Sequence, residues 1–394
     1  MFVQTLFCSA ARPFGRLCVA VFIVIFGATA CASYSPSFDD DWMAPTDSVE
    51  SLPPEASLDD LVAYAYTNNP RMRSAYEALE GAQAQVTAAG ALADPQLSVS
   101  QGLTDSSWQT IAIEQEIPLF QRRQIAISQA KLALEVRRAD YSATRNDVRA
   151  QVHMAAAEYM YVQQRIRLQQ DMLGILRQSV AAAQSRYESG QVPMAEFLRA
   201  QNAYDQAQVD AANFETFQQS AQSRLNSALG RDARAPLPDL PALEASHAAY
   251  AALPAPEDTL YESLETSNPS LLASRYAVYQ QQAAQDLAAR AGRPRLMVGV
   301  EYMNTDMGDG MPAAMASVSL PIWRSAYRAQ RDAAASGLRA SQAEWHSALQ
   351  EAHADLSMAL YQWREAQRRQ QLYQGNLLPR AERVTTGVCS CLPA

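Results

Sequence analysis

Cysteine is scarce in this sequence, and no basic cluster stands out. The cysteines all lie near the two ends of the 394 residues, at Cys8, Cys18, Cys31, Cys389 and Cys391. None belongs to a CxxC pair, and a Cys-x-Cys spacing is poor for a metal site. The 32 basic and 41 acidic residues give a formal charge of −9, which argues against nucleic acid as a partner. We expect no metal, no cofactor and no enzyme activity, because no catalytic motif stands out either.

Long apolar runs are also missing beyond the first thirty residues, so we expect no transmembrane helix in the mature chain. Residues 1–30 have the pattern of a signal peptide: Arg12 and Arg16 precede the apolar run Leu17–Phe26, and small residues follow. Cleavage after Ala30 would be ordinary export. The alternative, which we favour, is a lipoprotein signal with acylation of Cys31, although such signals prefer leucine where Ala28 stands. A membrane-embedded part would then have to consist of strands.

Proline is absent from residues 121–188, and Gly174 is the one glycine of that stretch. Ala, Gln, Arg, Glu and Leu dominate it, which predicts one continuous helix. At about 1.5 Å per residue, this helix would be roughly 100 Å long, far beyond the usual globular helix. Four arginines between Arg137 and Arg149 make it too polar for a membrane span. A second proline-free helix is predicted at 324–378.

Two strand pairs precede these helices, at 96–117 and 295–320. In the first pair, Ile111, Ile113 and Ile117 alternate with Thr110, Glu114 and Glu116, so apolar and polar side chains fall on opposite faces. The pairs belong to an internal repeat. Asn69-Pro70 recurs 199 residues later as Asn268-Pro269, and Ile117-Pro118-Leu119-Phe120 recurs 203 residues later as Leu320-Pro321-Ile322-Trp323. The second hairpin turn is therefore predicted to be four residues longer than the first.

The sequence predicts a mainly α chain with a small β part, built from two structural repeats. Residues 31–56 form an extended tether, 57–229 the first repeat with a return helix at 194–229, 230–256 a linker, and 257–384 the second repeat. A strand with one apolar and one polar face suits either a soluble sheet under a helical bundle or a membrane barrel. Four strands cannot close a barrel alone, so several chains would have to contribute. The adjoining long helices favour the barrel.

Several of these segments carry a family resemblance over residues from about 57 to 384. They are the Asn-Pro helix starts, Asp94-Pro95-Gln96-Leu97-Ser98, the two strand ends, and the turn Tyr187–Pro193 followed by Phe197-Leu198-Arg199-Ala200-Gln201. Together they resemble the outer-membrane factor (TolC) family, in particular its lipidated heavy-metal and multidrug efflux branches. Each motif alone is weak, whereas their order, their duplication and the helix lengths are specific.

The resemblance implies a homotrimer in the outer membrane, in contact with its lipid. Three chains with four strands each would close a twelve-stranded barrel, which a long α-helical coiled-coil barrel continues into the periplasm. Such channels are passive exit ducts of tripartite efflux systems, and they work with a periplasmic adaptor (a membrane fusion protein) and an inner-membrane pump.

The resemblance also implies two functional regions. Gly190, Gln191, Val192 and Pro193 would form the helical tip that docks the adaptor, with Gly190 in a left-handed cap position. Glu114 and Glu116, with Glu301 as their counterpart in the second repeat, would line the pore and favour cations modestly. The alternative functional class is a periplasmic coiled-coil lipoprotein with a scaffold or adaptor role and no pore.

The C-terminal residues depart from the family pattern. Pro118 lies 72 residues before Gly190, and the same distance from Pro321 reaches residue 393. The second tip and its return helix are thus missing, and residues 385–394 show no helical pattern. We interpret this tail as the result of a frameshift or premature stop.

Two further patterns are weaker. Met303, Met307, Met311 and Met315 recur every four residues and could bind Cu(I), but we favour a flexible loop. His346 and His353 are seven residues apart, which favours a solvated helix face over a metal site.

Overall fold

A computed structural model of the protein describes residues 52–102, 108–238, 240, 253, 255–305 and 308–383. The predicted signal segment, Cys31, Met307 and the predicted atypical tail lie outside these ranges. Within them, no helix is both long enough and apolar enough to cross a membrane.

The first repeat begins with two helices that meet at an asparagine. Helix α1 (Leu58–Asn68) starts with a capping box, in which Ser57 and Asp60 bond to each other's backbone N–H groups. The hydrogen bonds from Ser57 lower the pKa of Asp60. Helix α2 (Pro70–Gly90) is capped by Asn69, whose side chain accepts from the Arg71 N–H at 2.8 Å. Proline at the first position of α2 costs no hydrogen bond, because that N–H has no helical partner.

The longest described element is the helix that follows the first strand pair. Strands β1 (Gln96–Gln101) and β2 (Trp108–Ile117) lead into helix α3 (Arg122–Glu188), and α4 (Met194–Leu229) returns alongside it. The predicted start at residue 121 is confirmed to within one position. Both Phe120 and Gln121 have a φ of 60°, so the chain turns from strand to helix through left-handed backbone.

The second repeat follows the same order. Helices α5 (Glu257–Ser267) and α6 (Pro269–Ala291) precede strands β3 (Arg295–Thr305) and β4 (Gly308–Ser319), and helix α7 (Arg324–Leu372) follows. A π-helical turn at Tyr373–Leu377 interrupts the predicted helix 324–378, and α-helical backbone continues to residue 383.

The four strands form one antiparallel sheet in the order β1-β2-β3-β4. Strands β2 and β3 pair along their length, from Trp108 opposite Thr305 to Ile117 opposite Leu296, and this pairing joins the two repeats. The prediction of a longer second turn is wrong. The additional residues extend β3 and β4 instead, with Met303 opposite Met311 and Thr305 opposite Gly308.

The main hydrophobic core lies in the first repeat, where α1, α3 and α4 meet. Leu61, Val148, Val152 and Leu225 are fully buried there, and Ala56 of the predicted tether packs into the same core. The predicted linker begins in contact with this core as well, because Asn226 donates to the Ala235 carbonyl at 2.8 Å. Helix α7 packs against α6 and α5, and Leu360 is its one described buried residue.

Asn69 joins the start of α2 to the end of α4. Its side-chain amide donates to the Ala228 carbonyl at 2.7 Å while its oxygen caps α2, and the residue is 4% exposed. The equivalent Asn268 caps α6 through the N–H groups of Ser270 and Leu271.

Asn69→Ala is therefore expected to lower the free energy of unfolding by about 2–3 kcal/mol, since it removes a cap and leaves a buried carbonyl unpaired. Asn268→Ala removes a cap alone and is expected to cost about 1 kcal/mol. Guanidinium titrations followed by helical circular dichroism compare the two variants. Equal losses would show that the Asn69 to Ala228 bond contributes nothing.

Candidate functional site

One face of the sheet is apolar and exposed. The strand register places Leu97 opposite Ile113 and Val99 opposite Ile111, and β3 continues both rows with Val300 and Tyr302. These six side chains are 47–70% exposed. Ala314, Ala316 and Val318 extend the same face onto β4. A connected apolar surface of this kind marks a contact with lipid or another protein.

The opposite face carries carboxylates. Glu114 lies opposite Gly299, and Glu301 lies opposite Ala112, so the two glutamates are diagonal neighbours across β2 and β3. Such pairs are about 7–8 Å apart. Glu116 follows two positions along β2, on the same face. All three are half-buried, and none forms an ion pair with a described residue. The sheet therefore presents unneutralised acidic groups on the side away from its apolar face.

Because Gly299 has no side chain, β2 and the Glu114 side chain can lie close to it. A Cβ atom at position 299 would lie 2.4 Å from the Ile113 carbonyl oxygen and 3.0 Å from Glu114 Cγ. The close approach of β2 and β3 at this point depends on glycine.

Methionines share the carboxylate face. Met303 and Met311 are directly opposite each other across β3 and β4, and Met315 lies opposite Gly299. The expectation of a flexible methionine loop is thus wrong for these three residues, which lie in strands. Pro312 does not interrupt the pairing, because β4 is an edge strand of the described sheet.

The tip between α3 and α4 is a compact turn. Gly190 has a φ of 74°, its N–H donates to the Tyr187 carbonyl at 2.9 Å, and the Gln191 N–H donates to the Arg186 carbonyl at 2.8 Å. This is the Schellman pattern that ends a helix at a left-handed glycine. The predicted cap position of Gly190 is confirmed. Gly190, Gln191 and Pro193 are exposed, whereas Val192 is buried at 8% exposure.

Side chains on both sides of the turn hold it together. The rings of Tyr187 and Phe197 are stacked with centroids 6.3 Å apart, and Arg186 lies 3.7 Å from Glu196. The sequence motif includes Tyr187 and Phe197, but it does not predict that their rings stack or that Arg186 lies beside Glu196. Val192 therefore supports the turn from inside, and the other three tip residues form its surface.

His346 and His353 both lie on α7. His353 contacts α5, with its Nε2 3.3 Å from Glu265 Oε1 and its ring beside Tyr261. Within the ranges that the structure describes, no three His, Cys, Asp or Glu side chains are grouped so as to hold a metal ion.

Solved structures share this arrangement of long helices and a four-stranded sheet. The outer membrane protein VceC of Vibrio cholerae superimposes with a TM-score of 0.68 at 14% identity, covering 86% of this chain and 87% of that one. A membrane protein from Pseudomonas aeruginosa gives 0.66 at 19% identity, with 84% and 83% covered. The open MtrE outer membrane channel of Neisseria gonorrhoeae gives 0.59 at 20%, with 84% and 77% covered. The chain thus has the fold of outer-membrane channel proteins.

The sequence agrees with the fold. Residues 61–231, from α1 to just beyond α4, match the profile of the family described as Outer membrane efflux protein. This match covers less than half of the chain, and it agrees with the resemblance stated above. A comparison with curated protein sequences gives no match.

Proposed function

We propose that this protein is a subunit of a trimeric outer-membrane channel, the passive exit duct of a tripartite efflux system for small molecules or metal ions. The observation that carries the proposal is the two-faced sheet at the end of the long helices. Its exposed apolar face fits lipid, and its opposite face carries Glu114, Glu116 and Glu301. A scaffold without a pore has no use for such a sheet.

The oligomer follows from the strand count. Strands β1 and β4 are the two edges of the described sheet, so each has backbone groups that no strand of the same chain pairs. Edges of this kind are not tolerated in lipid, where every backbone group must find a partner. Pairing β4 of one copy with β1 of the next closes the sheet, and three copies give twelve strands.

In the closed barrel the carboxylate face points to the lumen. Rings of acidic side chains in a pore attract cations and repel anions. The protein is proposed to reach the outer membrane as an exported chain with Cys31 acylated, so that the lipid holds the N-terminus at the periplasmic leaflet.

The pore is tested by replacing its carboxylates. The triple variant Glu114→Gln, Glu116→Gln and Glu301→Gln is expected to lower the ratio of potassium to chloride permeability at least about twofold. The measurement is the reversal potential of purified protein in planar lipid bilayers under a KCl gradient. The Glu→Asp triple variant keeps the charge and is expected to keep the selectivity. A conducting wild type whose selectivity is the same in the Gln variant would remove the three glutamates from the pore.

The tip is proposed to dock the periplasmic adaptor, which the pump in the inner membrane requires. Gln191 and Pro193 are exposed at the end of the molecule farthest along α3 from the sheet, and Val192 fixes the shape of the turn. A photo-cross-linking residue at position 191 is expected to capture a membrane-anchored periplasmic protein in the native host. The same residue at the exposed Gln178, three turns back along α3, serves as the control.

Mass spectrometry of the cross-linked band identifies the partner. Cross-links from position 191 that lead only to other copies of this chain would contradict docking at the tip. The added substitution Val192→Asp puts a charge into the buried position of the turn and is expected to abolish the cross-link while the helical content is preserved.

A further inference from the structure

Four arginines surround a cavity of about 330 Å³ where the sheet meets the helices of the second repeat. Arg293 follows the end of α6, and Arg324, Arg328 and Arg331 lie on the first turns of α7. Pro321 and Tyr327 also line the space. Residues 324, 328 and 331 are spaced by four and three positions, so their side chains project from one side of the helix. We call this feature the arginine cavity.

The charge of the arginine cavity is not neutralised within the described chain. No acidic residue is among those that line it. The described ion pairs of α7 involve other residues, namely His353, Arg364 and Arg369. Arg293 has an aromatic contact, with its guanidinium carbon 5.0 Å from the centre of the Phe120 ring. Four like charges around one space repel each other, and an anion between them offsets part of that repulsion.

The internal repeat shows that the fold does not require these arginines. With the repeat offsets of 199 residues before the strands and 203 after them, the equivalents of Arg293, Arg324, Arg328 and Arg331 are Asp94, Gln121, Ile125 and Ser128. The first junction has the same backbone plan and lacks these four charges, although Arg122 and Arg123 lie on the first turn of α3, where Arg123 donates to the Gly90 carbonyl at 2.7 Å. A cavity lined by four arginines is thus described at the second junction and not at the equivalent positions of the first, which points to a ligand rather than to folding.

Exposed apolar side chains adjoin the arginine cavity in the sequence. Leu320, Ile322 and Trp323 lie directly between β4 and α7 and are 68–72% exposed. Arginine binds phosphate oxygens in a planar, bidentate arrangement, and the N-terminal end of a helix favours an anion. Tryptophan is enriched where a membrane meets water. Phosphate-binding groups beside apolar groups, at the level where strands end, match the headgroup and the first carbons of a phospholipid.

We infer that the arginine cavity binds the phosphate group of an anionic phospholipid in the periplasmic leaflet of the outer membrane. The membrane source of the phosphate rests on the proposed function, because that places the end of β4 at the membrane surface. The bound lipid lowers the repulsion among the four arginines and fixes the depth at which α7 leaves the membrane.

The test uses the full-length protein, purified in detergent and freed of lipid. Phosphatidylglycerol is titrated, and the bound lipid is counted by native mass spectrometry. The variant Arg324→Gln, Arg328→Gln, Arg331→Gln is expected to bind phosphatidylglycerol at least about tenfold more weakly, since three of the four charged groups are lost. A matched variant on the same helix, Arg339→Gln, Arg368→Gln, Arg369→Gln, removes the same charge away from the cavity and is expected to bind as the wild type does.

A second variant separates charge from geometry. Replacing Arg324, Arg328 and Arg331 by lysine keeps the charge and removes the bidentate fork, and it is expected to bind with intermediate affinity. Circular dichroism and the oligomer mass are measured on every sample. If the glutamine variant is misfolded, the lysine variant decides the outcome, and wild-type affinity in it contradicts phosphate recognition by the arginines.

Three results would overturn the inference. Equal phosphatidylglycerol binding by the wild type and the glutamine variant removes the cavity as the site. Binding of inorganic phosphate without phosphatidylglycerol identifies free phosphate as the ligand instead of lipid. Absence of both in the wild type shows that the arginine cavity binds no phosphate group. Failure of the proposed function can be distinguished from failure of the lipid inference. If the proposed function is wrong, the wild type does not form a trimer, whether or not it binds lipid.

Discussion

Replacing Ile113 by arginine is expected to remove the protein from the outer membrane, whereas replacing its neighbour Glu114 by arginine is expected to leave it there. Ile113 lies on the apolar face, opposite Leu97 on one side and Val300 on the other, and is 47% exposed. An arginine on the lipid face of a barrel costs about 2–4 kcal/mol near the middle of the membrane. A trimer carries the substitution three times, so the penalty is large enough to prevent assembly.

Glu114 is the matched control because it adjoins Ile113 in β2 and points to the other face. An arginine there meets Glu116 and Glu301 in the proposed lumen instead of lipid. Membrane fractionation with quantitative immunoblotting measures both variants. The expected result is at least about a tenfold loss of outer-membrane protein for Ile113→Arg and near-normal amounts for Glu114→Arg. Equal amounts for the two would mean that the two faces of the sheet have the same surroundings, as in a soluble protein.

Gly230→Ala, at the end of α4, is expected to be more destabilising than the same substitution at Gly190 or Gly174. Gly230 ends α4 with a φ of 77°, which costs an L-residue about 1–2 kcal/mol. A Cβ atom there would also lie 2.6 Å from the Asn68 carbonyl oxygen and 2.8 Å from Asn69 Cα, both of them backbone atoms. Because backbone cannot move aside as a flexible side chain does, we expect a total loss of about 3–4 kcal/mol.

Gly190 and Gly174 separate the cost of left-handed backbone from the cost of the close contact. Gly190→Ala has nearly the same φ, 74°, with open space around the new atom, and is expected to cost about 1–2 kcal/mol. Gly174→Ala lies within α3 with nothing near it and is expected to stabilise the helix by about 1 kcal/mol. Guanidinium titrations of the three variants give the order. If Gly230→Ala and Gly190→Ala cost the same, the close contact between the end of α4 and the start of α2 is not tight in solution.

The helices and the order of the repeats could be predicted because proline and glycine mark their ends. Pro118, Gly190 and Pro193 bound α3 and the tip, and the Asn-Pro pairs begin α2 and α6, as the structure shows. The strands β1 and β2 were also predictable, since Ile111, Ile113 and Ile117 alternate with polar residues. Each of these signals is local, and local backbone preference is what a single sequence carries most clearly.

Long-range contacts were not predictable in the same way. The pairing of β2 with β3 depends on residues nearly two hundred positions apart, and alternation within each strand does not specify it. Met303, Met311 and Met315, which were predicted to lie in a flexible loop, are in strands, and β4 runs through Pro312 because an edge strand tolerates proline. The hydrogen bond from Asn69 to Ala228 is equally invisible, although the sequence marks Asn69 as a helix cap.

The candidate site, too, was predictable only where local patterns determine it. The common face of Glu114 and Glu116 follows from the period of a strand, whereas Glu301 is placed beside them by the pairing of β2 with β3. The burial of Val192 depends on how the turn folds back between Tyr187 and Phe197, which residue types alone do not determine. The arginine cavity needs both: the repeat comparison identifies the four positions, and packing brings Arg293 to the start of α7.

The central claim is that the described sheet spans the outer membrane as one third of a closed barrel. The most direct measurement is the native mass of the protein extracted in detergent from carbonate-washed outer membranes. We expect the protein to stay in the washed membrane and to be extracted from it as a complex of three copies. Recovery of the protein in the carbonate wash as a single copy would contradict the claim and favour a scaffold at the membrane surface.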